Sequence, residues 1–143
     1  MFRRRPAGLE VLLVHPGGPF HAKKDLDAWS IPKGEYDASE APLAAAQREF
    51  EEETGHKPSG PYIELGEIRQ KGGKLVTAWA FEGDFDPATL KSNTFEMEWP
   101  KGSGKVQHFP EVDRAAWLTI DAAKERIKAA QIPLLDALAK SRT

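Results

Sequence analysis

Apolar and polar positions change period several times along this chain, and each change marks an element. Leu9–His15 (LEVLLVH) is a nearly unbroken aliphatic run that Pro16-Gly17-Gly18-Pro19 cuts off, which predicts a buried strand. Residues 16–33 predict a loop anchored by Trp29 and Ile31. Ser39 is the expected N-cap of a helix reaching Thr54, with Pro42 tolerated in the first turn and Gly55 just past the end. Tyr62–Gln70 and Lys74–Phe81 flank Gly72–Gly73 as a hairpin would. Phe95–Trp99 alternates apolar residues with Glu96 and Glu98, the pattern of a half-buried strand. Lys101–His108 reads as a loop, Ala115–Thr119 as a short strand carrying Trp117, and Asp121–Ala130 and Pro133–Lys140 as helices. This order predicts an α/β fold with a mixed sheet covered by helices on both faces.

The helix after Gly34 carries the candidate chemistry. At 100° per residue with Glu49 at zero, Glu52 falls at about 300° and Glu53 at about 40°. Leu43, Ala46 and Phe50 fall between about 60° and 120°, the core side, and Glu51 points away near about 200° as a solvated bystander. Arg48 stands one turn before Glu52 and can pair with it. A merely solvated face would interleave acids with lysines at four-residue spacing, yet Glu49–Glu53 contains none. Clustered carboxylates repel, and a divalent cation is the simplest compensation; three carboxylates beside a glycine loop make a site for a hard cation.

Composition narrows the field. The 143 residues fit one domain, 1–143, and a net charge of −2 gives no argument for nucleic-acid binding. Arg3–Arg5 reads as a solvated terminus rather than a phosphate-binding arm. Without cysteine, disulfides, thiolate zinc sites and cysteine nucleophiles are excluded, which suits a cytoplasmic location. No apolar run approaches the roughly 20 residues of a membrane span, and no signal-peptide core precedes the first strand.

The residues Gly34, Glu40, Arg48, Glu49, Phe50, Glu52, Glu53 and Gly55 have the spacing of the Nudix box, which the chain resembles over Gly34–His56. His56 departs from the final apolar position of that pattern, at a place that concerns packing after the helix. Trp29-Ser-Ile-Pro-Lys-Gly34 is similar to the approach to the box in members cleaving dinucleoside polyphosphates and diphosphoinositol polyphosphates. Glu111–Ala123 resembles the late strand and helix of many members, and the whole chain resembles small bacterial predicted nucleoside triphosphate pyrophosphohydrolases. The family usually has an apolar strand before a segment like Arg3–Leu9, where only Met1 and Phe2 stand here.

The resemblance implies a Nudix α/β/α sandwich and a hydrolase that cleaves a phosphoanhydride bond in a nucleoside diphosphate-linked substrate, using Mg²⁺ or Mn²⁺. It implies catalytic roles for Arg48, Glu49, Glu52 and Glu53, and metal ligation by Glu49, Glu52, Glu53, the Gly34 carbonyl and, from outside the box, Glu111. Glu40 is expected to hold the loop to the helix. Lys33 can reach a phosphate and is the candidate substrate-binding residue, a surface lysine being the plain alternative. The general base stays open among Glu49, Glu52, Glu111, Glu96 and Glu98. His15 and His108 are the remaining candidates, and the sequence names no partner for either. Trp79, Trp99 and Phe109 could stack on a base, although such residues more often pack in a core.

Neither the tyrosine typical of diadenosine tetraphosphate hydrolases nor the proline typical of ADP-ribose pyrophosphatases occurs at positions 70–74 (QKGGK), so the substrate stays open. A nucleotide-type small molecule is the expected partner, with neither nucleic acid nor membrane, and the family allows a homodimer. The alternative is a non-catalytic Nudix domain that senses a nucleotide-derived ligand; retention of the box acids counts against it. An isoprenoid diphosphate isomerase would need a cysteine.

Overall fold

A computed structural model of the chain describes residues 1–33, 39–70, 73 and 75–142. Its centre is strand β2 (Gly8–Pro16), flanked antiparallel by β1 (Phe2–Arg5) and β7 (Val112–Thr119). Successive side chains of a strand point to opposite faces, so a strand covered on both sides must be apolar throughout. That is why Val11–Val14 shows no alternation. Val11 and Leu13 enter one core with Phe2, Trp29, Ala123, Ile127 and Leu135, while Leu12 enters another with Phe50, Phe81 and Phe85.

Helix α1 (Pro42–Thr54) covers the second core, and α2 (Ile120–Arg126) and α3 (Ile132–Ser141) cover the first. Hairpin β3–β4 (Ile63–Arg69, Leu75–Ala80) and hairpin β5–β6 (Thr94–Glu98, Val106–Pro110) complete the α/β/α arrangement. Every strand pairing is antiparallel among the described residues; parallel contact is confined to the single bridges Phe2–Glu82 and Trp29–Ile127.

Several local expectations are corrected. Arg3–Arg5 belongs to β1: Arg3 lies over the Trp117 ring at 4.2 Å and binds Glu10 and Asp84, each at 2.8 Å. Ser39 is not the N-cap; α1 starts three residues later, behind Ala41, because Pro42 at N1 lacks only an N–H that has no helical partner in the first turn. Val106–His108 is strand, not loop, its pairing with β5 supplying order that its polar sequence concealed. The predicted helix over Asp121–Ala130 ends at Arg126, where Ile127 turns extended and packs in the core; Ala129–Gln131 then forms a 3₁₀ turn.

The C-terminus of α1 conforms to expectation. Gly55 takes the left-handed conformation, φ 76°, and its N–H donates to the Glu51 carbonyl at 2.7 Å. Phe50 meets Phe81 edge to face at 5.1 Å, and burial of such a ring contributes about 1.5–3 kcal/mol, which fixes the helix's rotation. His56, the departure from the box, packs edge-on against Phe50 and Phe85.

Candidate active site

With Phe50 turned inward, Glu49 and Glu53 are carried to the edge of the core, where both are buried (9% and 8% exposed), while Glu52 is half-buried and Glu51 exposed. Ala45, one turn before Glu49, is buried and small, which leaves room beside them. Arg48 spans the group. Its Nε and Nη2 each donate to Glu40 at 2.9 Å, and its Nη1 donates to Glu49 at 2.8 Å and to Glu52 at 3.1 Å. Glu40 therefore binds the helix through Arg48, and the guanidinium offsets repulsion between Glu49 and Glu52.

Glu53 lies beyond these bonds. Its Oε1 accepts the Lys33 N–H at 3.3 Å, but burial, reinforced by the charges of Glu49 and Glu111, pushes its carboxyl up to about 8. Glu111, at the β6–β7 junction, is raised by burial and by the charges of Glu49 and Glu52. The structure thus brings Lys33, Arg48, Glu49, Glu52, Glu53 and Glu111 into one electrostatic neighbourhood, while Gly34 lies outside the described residues. Glu96 and Glu98 are not part of it: Glu96 faces His108 at 3.5 Å on the exposed hairpin, and Glu98 accepts the Gly102 N–H at 2.6 Å.

No group of three acidic or histidine side chains among the described residues is arranged to hold an ion as it stands. The donor set nevertheless fits a hard cation in its chemistry. Its ligand atoms are carboxylate oxygens, and burial alone makes full ionisation of Glu53 costly.

The other face of α1 borders a cavity of about 420 Å³, lined by Leu43, Ala46, Phe50, Tyr62 and Ala78, and Lys33 also lines it. Lys33 is thus common to the acid cluster and this apolar chamber. Trp79 lines the chamber as well, whereas Trp99 lies edge-on to Phe20 (5.3 Å) and Phe109 beside Phe95 (6.0 Å), both on the β5–β6 side.

Three supports of the site were not visible in sequence. His15 is fully buried, with Nδ1 at 2.8 Å from Asp113 and Nε2 at 2.5 Å from the Lys24 carbonyl, so it ties the 16–28 loop to β7. Gln131, also fully buried, accepts the Ile31 N–H at 3.0 Å and donates to Ser30 Oγ at 3.1 Å. Lys91–Asn93 is fastened to the end of α1: Lys91 N–H donates to the Thr54 carbonyl at 3.0 Å and Asn93 N–H to the Glu52 carbonyl at 2.8 Å. Only the punctuating Gly17–Gly18 and the polar Ser92–Asn93 hinted at such close approaches.

The chain belongs to the NUDIX family, whose domain model matches residues 1–138. It is 32% identical over 129 residues to the 8-oxo-(d)GTP phosphatase of Mycolicibacterium smegmatis, a match covering 86% of this chain and 31% of that protein. The chain thus spans about a third of this curated relative. Its fold is similar to that of the MutT protein of Methanosarcina mazei, with a TM-score of 0.61 and 19% identity over 99% of this chain and 91% of that one. It is likewise similar to the C. elegans Ap4A hydrolase in a binary complex, with a TM-score of 0.60, 23% identity, and coverage of 99% and 91%.

Proposed function

We propose that this single NUDIX domain is a Mg²⁺- or Mn²⁺-dependent hydrolase of a phosphoanhydride bond in a nucleoside diphosphate-linked substrate. Nucleoside triphosphates and dinucleoside polyphosphates are the classes that the names of its relatives suggest. The observation that carries this reading is the acid cluster itself. Glu49 and Glu53 are buried side by side, Arg48 occupies the Glu49–Glu52 side, and burial, with the charges of Glu49 and Glu111, pushes the Glu53 carboxyl up to about 8.

Glu49, Glu52 and Glu53, together with Glu111 from outside the box, are the groups we assign to a divalent ion, and the Gly34 carbonyl joins them by resemblance. A bound ion would polarise the phosphoryl oxygens and acidify water. Arg48 holds the carboxylates against their repulsion. The Lys33 ammonium is suited to a substrate phosphate, and the apolar chamber that Lys33 also lines is suited to the organic part of the substrate. The proton released by the attacking water passes to a carboxylate of the same cluster. No helix among the described residues is long and apolar enough to cross a membrane, and a cytoplasmic location is our reading from cysteine content and family.

The test is hydrolysis of a nucleotide panel that includes 8-oxo-dGTP and diadenosine tetraphosphate, with Mg²⁺ or Mn²⁺, by wild type, Glu52→Gln and Glu53→Gln. Turnover by wild type that both variants lose is expected. Full turnover by the variants would overturn the assignment, and binding without turnover of any member would favour a sensor.

A further inference from the structure

We infer that Ser92 is a positioning residue that seats Glu111 against the box helix; this rests on the assignment of Glu111 to the acid cluster. Glu111 lies outside α1, at the junction of β6 and β7, so its distance from Glu52 depends on how that junction is fastened. The amides on both sides of its Cα go to the same segment. Glu111 N–H donates to the Asn93 carbonyl at 2.8 Å, and Val112 N–H donates to Ser92 Oγ at 3.0 Å. Asn93 N–H in turn donates to the carbonyl of Glu52 at 2.8 Å. Two hydrogen bonds therefore join the backbone of Glu111 to the backbone of a box acid.

From the other side, Gly17 N–H donates to the Glu111 carbonyl at 2.9 Å, and the Pro110 carbonyl oxygen lies 1.9 Å from where a Cβ on Gly17 would stand. The junction is closed against β2 as tightly as the backbone permits. Within this clasp every bonding group but one belongs to the backbone. The exception is Ser92 Oγ, which accepts from Val112 and donates to the Asn93 carbonyl at 2.8 Å, the same carbonyl that receives Glu111. A serine hydroxyl can bridge a donor and an acceptor at once, and alanine can do neither. Loss of the hydroxyl frees the Val112 amide and lets Glu111 move relative to Glu52.

The experiment compares Ser92→Ala, Ser92→Thr, Glu111→Gln and Ser92→Ala/Glu111→Gln, with Mn²⁺ affinity by titration calorimetry as the primary readout. Kinetics on 8-oxo-dGTP with Mg²⁺ are the second. Outer groups that orient ligands are worth about 10–100-fold in metal affinity, so Ser92→Ala is expected at the lower end, a loss of about 10-fold. Threonine should restore it, kcat should fall with KM nearly unchanged, and the alanine substitution should have no further effect in the Glu111→Gln background. An unchanged Mn²⁺ affinity in Ser92→Ala, or effects of Ser92→Ala and Glu111→Gln that simply add, would overturn the positioning role. Wild-type Mn²⁺ affinity in Glu111→Gln would instead remove Glu111 from the cluster, and the role of Ser92 with it.

Discussion

The amide N–H of Lys33 points at Oε1 of Glu53 across 3.3 Å, so the residue before the box glycine is fastened to a buried acid of the box helix. One backbone donor is a weak answer to a carboxylate that is 8% exposed and lies near Glu49 and Glu111. The carboxyl accordingly rests near 8 rather than its ordinary 4.5, with burial as the main cause.

That shift has a sign that can be tested. A carboxyl raised in the folded state adds stability below its unfolded value, and loses it as pH climbs through the folded one. In a metal-chelating buffer, the Glu53 contribution should therefore fall between about pH 4.5 and 8. Thermal melts should show wild type losing Tm over this range and Glu53→Gln losing less. Added Mn²⁺ at pH 8 should raise the Tm of wild type and not that of the variant. Parallel curves for the two proteins in chelator would rule the account out.

Arg48 makes contacts that a lysine cannot reproduce. Its planar fork bonds Glu40 through two nitrogens and reaches Glu49 and Glu52 with a third. Arg48→Lys should keep the charge but release Glu40 and let the two box acids drift. We expect Mn²⁺ affinity to drop about 10–100-fold by calorimetry, whereas Glu51→Gln, on an exposed position of the same helix, should leave it unchanged. Equal effects of the two substitutions would argue against a specific role for the guanidinium.

Gly55 answers two demands at once. Its φ of 76° is one that residues with a Cβ rarely adopt, and a Cβ there would stand 2.8 Å from the Cβ and carbonyl oxygen of Lys91. Gly55→Ala should cost about 1–3 kcal/mol for the backbone alone, with Tm falling by about 2–4 °C for each kcal/mol. Because Lys91 leads into Asn93 and its bond to the Glu52 carbonyl, the variant should also bind Mn²⁺ more weakly. A melt indistinguishable from wild type would contradict this.

What the sequence disclosed follows the range of the interactions involved. The wheel separating Glu49, Glu52 and Glu53 from Glu51 is local geometry, and the buried run Val11–Val14 reports its two covered faces directly. Ser39 has the side chain of a cap without the position of one, because Pro42 fits the first helical position so well that Ala41 needs no side-chain cap. Strand Val106–Pro110 was hidden because its exposed residues alternate weakly and its order comes from β5. The pairing of His15 with Asp113 spans 98 positions, and no local pattern encodes it. The same holds for Gln131, a buried amide whose partners lie about one hundred positions earlier.

Gln131 supplies the last prediction. Its side-chain oxygen takes the Ile31 N–H and its nitrogen reaches Ser30 Oγ, two and three residues before the Lys33 amide that binds Glu53. Gln131→Leu keeps the volume approximately but leaves the N–H of half-buried Ile31 without its acceptor, at a cost of about 1 kcal/mol. The loss should reach the site through the backbone from Ser30 to Lys33, so hydrogen exchange at the Ile31 and Lys33 amides should both quicken. Gln131→Glu, which retains the acceptor, should slow Ile31 exchange again even where it unfolds more easily overall. Quickened exchange at Ile31 with Lys33 unaffected would show that the clamp ends at Ile31 and does not extend to the box.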